Sequence, residues 1–163
     1  MRKPRILEDG GCYHVSARAN HREMLLNEDD SRSLFLSIVR RAKQKFRFKL
    51  HNIVIMGNHF HFLIRTEHGT TLSKVMKWIL GVFAMNWNRI HGMWGHFWGD
   101  RFTSRLISSP AESSAISQYI DDNPVKAALV TTPQQWIWGR FGLARPLIDP
   151  DSEIDEYGDR PHE

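Results

Sequence analysis

The chemistry in this chain centres on Met56-Gly57-Asn58-His59-Phe60-His61-Phe62-Leu63-Ile64, where two histidines stand two residues apart among large apolar side chains. In a strand, residues i and i+2 share a face. His59 and His61 then point one way, and Phe60, Phe62 and Ile64 point the other. Two neutral imidazoles about 7 Å apart along a strand can close on one divalent cation. Later in the chain, Tyr119 and Asn123 are four residues apart, so a helix carries them on one side. If that side meets the imidazoles, the available ligands are His59, His61 and the Asn123 amide oxygen. All three are neutral, so a bound cation keeps its full charge, which suits polarising a phosphodiester oxygen. A phenol with a pKa of about 10 is a poor nucleophile at neutral pH, and a nearby cation favours its phenolate. Attack on phosphorus then gives a covalent phosphotyrosine and divides strand transfer into two steps. Each feature also has a plain structural alternative. The histidines fit the polar side of a half-buried strand, and the tyrosine fits a helix packed on a sheet.

The elements that must position these groups are legible from periodicity. Residues 11–18 alternate, with Tyr13, Val15 and Ala17 on one face and His14, Ser16 and Arg18 on the other. Asn27 can cap a helix whose first turn holds Glu28, Asp29 and Asp30. Leu34, Phe35, Ile38, Ala42 and Phe46 then recur at helical spacing, opposite a basic face of Arg40, Arg41, Lys43, Lys45 and Arg47. Ile53–Met56 reads as a buried strand, and Gly57-Asn58 turns it antiparallel into the histidine strand. Thr70 or Thr71 caps a second helix with an apolar stripe from Leu72 through Phe83 and Trp87 to Ile90, ending near Gly92. A loop rich in glycine and aromatics, 92–99, leads to a strand over 101–107 that alternates Arg101, Thr103 and Arg105. Its aromatics either stack on unpaired bases or tuck beneath the loop. Ser109-Pro110-Ala111-Glu112 starts a third helix with a capping box, and Pro124 is expected to end or bend it at Asn123. Gln135–Arg140 is the last ordered piece. The order strand, helix, strand, strand, helix, strand predicts an α+β fold with a ferredoxin-like antiparallel sheet (βαββαβ). Both of its helices cover one sheet face. The histidines belong to the other face, and the appended tyrosine helix is the natural element to lie over it.

Length and charge set the frame. At 163 residues one domain is expected over 1–140, with an acidic, flexible tail over 141–163. Residues 1–50 carry twelve basic and six acidic side chains (+6), residues 51–140 eight and five (+3), and residues 141–163 two and seven (−5). The body is therefore about +9, which points to a polyanionic partner, nucleic acid first. The single cysteine, Cys12, excludes an intrachain disulfide and a cysteine-based zinc site. No apolar run reaches transmembrane length, and no hydrophobic segment follows the basic Met1–Arg5. A cytoplasmic location without membrane attachment is expected.

Taken jointly, the motifs resemble a known family. "GNHFHFLI" looks like the histidine–hydrophobic–histidine motif of IS200-like single-tyrosine (HUH, Y1) transposases. "QYIDDNPVKAALV" (118–130) resembles their tyrosine-helix signature, with Tyr119 at the nucleophile position and Asn123 at a metal-ligand position. "YHVSARANHR", "GHFWGDRFTSRLI" and "WIWGR" resemble the first strand, the last strand and the tryptophan-rich end. The likeness is nearest to the REP-associated branch. It implies a Mg²⁺- or Mn²⁺-dependent single-stranded DNA endonuclease and strand transferase that forms a 5′-phosphotyrosine at hairpin-flanked sites. Ligand softness alone would also suit Zn²⁺, Ni²⁺ or Co²⁺. The partner implied is a DNA hairpin, with Arg18, Arg22, Arg101, Arg105 and Trp98 as candidate contacts. IS200-like enzymes are dimers with tyrosine supplied in trans, and the REP-associated relatives resemble monomers with it in cis, so both states stand open here. Asp121-Asp122 depart from the family pattern, which has an uncharged pair before Asn-Pro-Val. Two carboxylates beside a DNA site are unfavourable unless they turn outward or hold metal. A catalytically inactive hairpin binder on the same fold is the alternative.

Overall fold

The computed structural model describes residues 4–150. The expectation of a flexible tail falls, from residue 151 on, outside the described residues. Four strands form one antiparallel sheet: β1 (Cys12–Arg18), β2 (Phe48–Ile55), β3 (His59–Thr66) and β4 (Thr103–Leu106), in the order β2-β3-β1-β4. This is the predicted ferredoxin-like arrangement. Helices α1 (Asp29–Lys45) and α2 (Leu72–His91) cover one face, and α3 (Pro110–Lys126) lies against the other, over β2 and β3.

Strand alternation explains the split. Phe60, Phe62 and Ile64 of β3 are fully buried, together with Tyr13 and Val15 of β1, against Phe35 and Ile38 of α1 and Ile79 and Phe83 of α2. Fully burying each such side chain contributes about 1.5–3 kcal/mol. The opposite face holds a smaller apolar cluster of Cys12, Val54, Met56, Leu63, Ile107 and Ile120, with Ile116 and Trp136 packed on it. That cluster is the seat of α3. Beside it the sheet face is polar and holds the histidines.

Several boundaries differ from the sequence expectations. The α1 cap position is Glu28, with no side-chain cap, because the Asn27 amide oxygen faces Arg32 instead. Thr71 caps α2 by accepting from the Lys74 amide at 3.3 Å, and Gly92, at φ 61°, closes it in the left-handed conformation. Ile90 lies outside the buried stripe, 63% exposed. β4 is shorter than 101–107, since it pairs with β1 only over Thr103–Leu106. Ser109 caps α3 as expected, yet the Glu112 carboxylate turns to the amide and hydroxyl of Ser108. α3 also runs through Pro124 to Lys126. The proline sits near the C-terminus, where a missing N–H costs one hydrogen bond, and its buried ring packs in return.

The folded unit does not stop at residue 140. Ala144 and Leu147 are buried in the main core, and the Asp149 carboxylate pairs with Lys43 and accepts from the Leu50 amide at 2.8 Å. Upstream, the Ile55 amide donates to the Trp138 carbonyl at 2.9 Å, and the Trp136 indole donates to the Ile55 carbonyl at 3.1 Å. This segment thus covers part of the free edge of β2, which an exposed edge strand requires. The buried Arg32 guanidinium sits over Trp136 and Trp138, at 5.1 and 5.8 Å from their rings.

Candidate active site

β3 presents His59 and His61 on the polar sheet face, and their rings meet edge to face at 5.2 Å between centroids. α3 brings Tyr119 edge-on to His61 at 5.6 Å. The tyrosine remains 40% exposed, and Lys126 Nζ lies 4.8 Å from its ring centre. Asn123, one helical turn on, lies beside the His59 ring, near enough to favour its protonated form. The four residues nominated from spacing therefore converge within one chain.

Two residues that sequence reasoning did not nominate complete the arrangement. His14 of β1 places Nε2 2.9 Å from His61 Nδ1, with the rings stacked at 5.1 Å, and meets the Tyr119 ring edge at 5.7 Å. Its signal was present, because His14 shares an alternating face with Ser16, and Ser16 pairs with His61 across the ladder. Asn58, read only as a turn residue, places Oδ1 2.7 Å from His59 Nδ1. Its other amide atom donates to the Arg22 carbonyl at 3.0 Å, so its orientation is set. An amide oxygen only accepts, hence His59 carries its proton on Nδ1 and leaves Nε2 bare.

These contacts test whether the residues suit a cation. The Asn123 amide nitrogen donates to the Tyr119 carbonyl at 2.9 Å, and its amide oxygen is a neutral acceptor of the kind that ligates a hard cation. His59, with its proton on Nδ1 toward Asn58, has a bare Nε2 to offer. His61 Nδ1 and His14 Nε2 share one proton at 2.9 Å, and in the tautomer with His61 as donor its Nε2 is the atom able to ligate, the usual outer-sphere device for histidine ligands. Among the described residues no group of three or more His, Cys, Asp and Glu is disposed to hold a metal ion. A cation here would be held by two imidazoles and an amide oxygen, a donor set that fits a divalent ion.

Electrostatics keeps the imidazoles neutral. Burial lowers the His59 pKa to about 4, helped by Arg18 and opposed by the Asn123 hydrogen bond. Burial lowers that of His61 to about 3, helped by His14, His59 and Arg18. The His14 pKa is also lowered, by burial first and Arg105 second.

Beside the imidazoles opens a cleft of about 420 Å³, whose lining includes His59, His61, Arg18, Arg22, Arg101 and Thr103. Its rim is strained: His21 and Arg22 both adopt left-handed backbone angles, φ 52° and 57°. Non-glycine residues hold such angles only where surroundings over-determine them. Here the Asn58 bond to the Arg22 carbonyl does so. Three of the four candidate arginine contacts thus line the cleft. Arg105 does not, because it pairs with Glu112 at the start of α3. Trp98 also lies apart. Its ring packs on Phe35, Phe60, Phe83 and Phe97, and its indole donates to the Leu80 carbonyl at 3.0 Å. Trp94, 89% exposed, is the aromatic that the loop presents to solvent. Asp121 turns from the site: it accepts from Asn52 at 2.9 Å and pairs with Arg140.

A family model described as transposase, IS200 like, matches residues 10–123. No curated protein matches. Among solved structures, a REP-associated tyrosine transposase bound to a REP hairpin is 21% identical, with a TM-score of 0.75. The match covers 100% of this chain and 99% of that one, and it establishes the common fold. A candidate transposase from Deinococcus radiodurans R1 is 18% identical over 75% of this chain and 97% of its own, with a TM-score of 0.49.

Proposed function

The chain belongs to the IS200-like transposases, and on that premise we propose that it is a divalent-metal-dependent endonuclease and strand transferase acting on single-stranded DNA beside hairpins. The observation that carries this reading is the convergence of Tyr119 on His61, 5.6 Å between ring centres, with Asn123 beside His59. Bound by His59, His61 and Asn123, a Mg²⁺ or Mn²⁺ ion would supply Lewis-acid polarisation of a phosphate oxygen. Tyr119 Oη loses its proton and bonds to phosphorus as the bond to the 3′-oxygen breaks. The leaving 3′-oxygen takes up a proton, giving a 5′-phosphotyrosine and a free 3′-hydroxyl. One phosphate ester replaces another, so no oxidant or nucleotide is consumed. A DNA 3′-hydroxyl then reverses the exchange on a new strand.

Arg18, Arg22 and Arg101 hold the phosphate backbone in the cleft beside the imidazoles. The site is completed in cis, a reading supported by this chain's own Tyr119 reaching its own histidines. Placement with the REP-associated branch rests on the shared fold and on the sequence resemblance. The folded unit that does this work is one domain reaching residue 149, followed by the acidic end of the chain.

The test is Tyr119→Phe. Incubated with Mn²⁺ and labelled hairpin oligonucleotides bearing unpaired flanks, the unmodified protein should form a covalent adduct. The variant should form none while keeping its DNA affinity. Cleavage that persists in the variant sinks the tyrosine mechanism. Tight binding without an adduct in either protein would favour a hairpin binder that does no chemistry.

A further inference from the structure

A second cleft, of about 620 Å³, lies on the far side of Arg101 from the histidines. It is bounded by the first half of α2, the N-terminal Arg5 and the 96–102 loop, and its lining includes Lys77, His96, Trp98 and Phe102. Asp100 and Arg101 line this cleft, the histidine cleft and a third groove along β4, so the three adjoin at these two residues.

The lining has the chemistry of a nucleotide strand path. Arg5, Lys77, His96 and Arg101 stand against a single carboxylate, Asp100. The Arg5 guanidinium stacks 3.7 Å from the Phe102 ring centre and donates to the Phe102 carbonyl at 2.9 Å, so it is held in place. Arg5 and Arg101 lie near enough to repel: burial, and then Arg101, lowers the Arg5 pKa. Converging guanidiniums favour an anion between them. The part of Trp98 left outside the core lines this cleft, and aromatic surface beside cations is how unpaired bases are held. The volume is of small-ligand size, enough for roughly one or two unstacked nucleotides and too small for a duplex.

We propose that this second cleft binds the unpaired DNA strand as it leaves the cleavage site, with its phosphates on Arg5, Lys77 and Arg101 and a base against Trp98. The inference rests on the DNA-cleaving reading above and adds to it a place for the strand that adjoins the cut.

Lys77→Glu and His96→Glu, singly and together, change surface charge away from the imidazoles. Lys77→Gln with His96→Gln is the milder companion, in case charge reversal disturbs folding. Affinity is measured by fluorescence anisotropy for a blunt hairpin and for the same hairpin with an unpaired flank. The double charge reversal should weaken the flanked hairpin about tenfold, reduce its salt slope by about one for each phosphate no longer held, and leave the blunt hairpin within about twofold. Equal weakening of both oligonucleotides would assign the cleft to the stem and overturn the proposal, as would no change in either. If the unsubstituted protein binds neither, the DNA-cleaving reading itself falls.

Discussion

At the scale of the residue, each of the two imidazoles proposed as ligands is held by a neighbour. His59 is set by Asn58 at 2.7 Å and His61 by His14 at 2.9 Å. Asn58→Ala frees the His59 ring to rotate and change tautomer. Outer-sphere losses of this kind typically weaken metal binding about 10–100-fold, so Mn²⁺ titration followed by EPR should show a drop in that range. An unchanged affinity would reduce Asn58 to a turn residue. The pH response follows from burial. Imidazoles with ordinary pKa near about 6.5 compete for protons below that pH, whereas His59 and His61 resist protonation until about 4 and about 3. Mn²⁺ affinity should therefore be level from about pH 8 to about pH 5, and a decline starting near the ordinary imidazole value of about 6.5 would contradict this account. Stability moves differently. The unfolded chain takes up protons on these two histidines below about pH 6.5 and the folded chain does not. Their contribution is complete above that pH and is lost as pH falls toward the folded values. The slope is at most about 1.4 kcal/mol per pH unit for each group, readable in urea melts.

At the scale of the element, α3 is the part that brings Tyr119 to a sheet face with two histidines. It is held by Ile116 and Ile120 on the small apolar cluster, and by Asp121 bridging Asn52 and Arg140. The same aspartate read from the chain alone as an unwelcome charge near DNA turns out to fasten the helix. Asp121→Ala takes the carboxylate from the part-buried Arg140, while Asn52 keeps Ser117 as its acceptor, and a loss of that kind costs about 1–3 kcal/mol. Thermal melting should show the loss. Adduct formation should fall more than hairpin affinity, because Tyr119 rides on this helix and the arginine cleft does not. Equal falls would mean that α3 is not an independent positioning element. The helix start was legible from Ser109 and Pro110. The run through Pro124 was not, since it depends on the proline ring finding a buried surface.

At the scale of the whole molecule, charge is divided unevenly along the sequence. Residues 1–150 carry +9, the overall +4 less the −5 of residues 151–163. Removing residues 151–163 should raise DNA affinity at low salt, and the gain should shrink as salt rises through screening. A gain that persists unchanged at high salt would point to something other than charge. No helix of the described residues is long and apolar enough to cross a membrane. The chain alone determined the alternation that turns Phe60, Phe62 and Ile64 inward and leaves His59 and His61 outward, and the order of elements that builds this sheet. Those are local facts, because strand and helix periods follow from backbone geometry. Only the tertiary structure decided that His14 and Asn58 meet the two histidines, that Asp121 faces Arg140, that Trp98 rather than Trp94 packs on the core, and that residues 141–149 join the fold. Each of these depends on which distant surface a side chain meets, and such pairings are settled when the sheet and its covering helices come together.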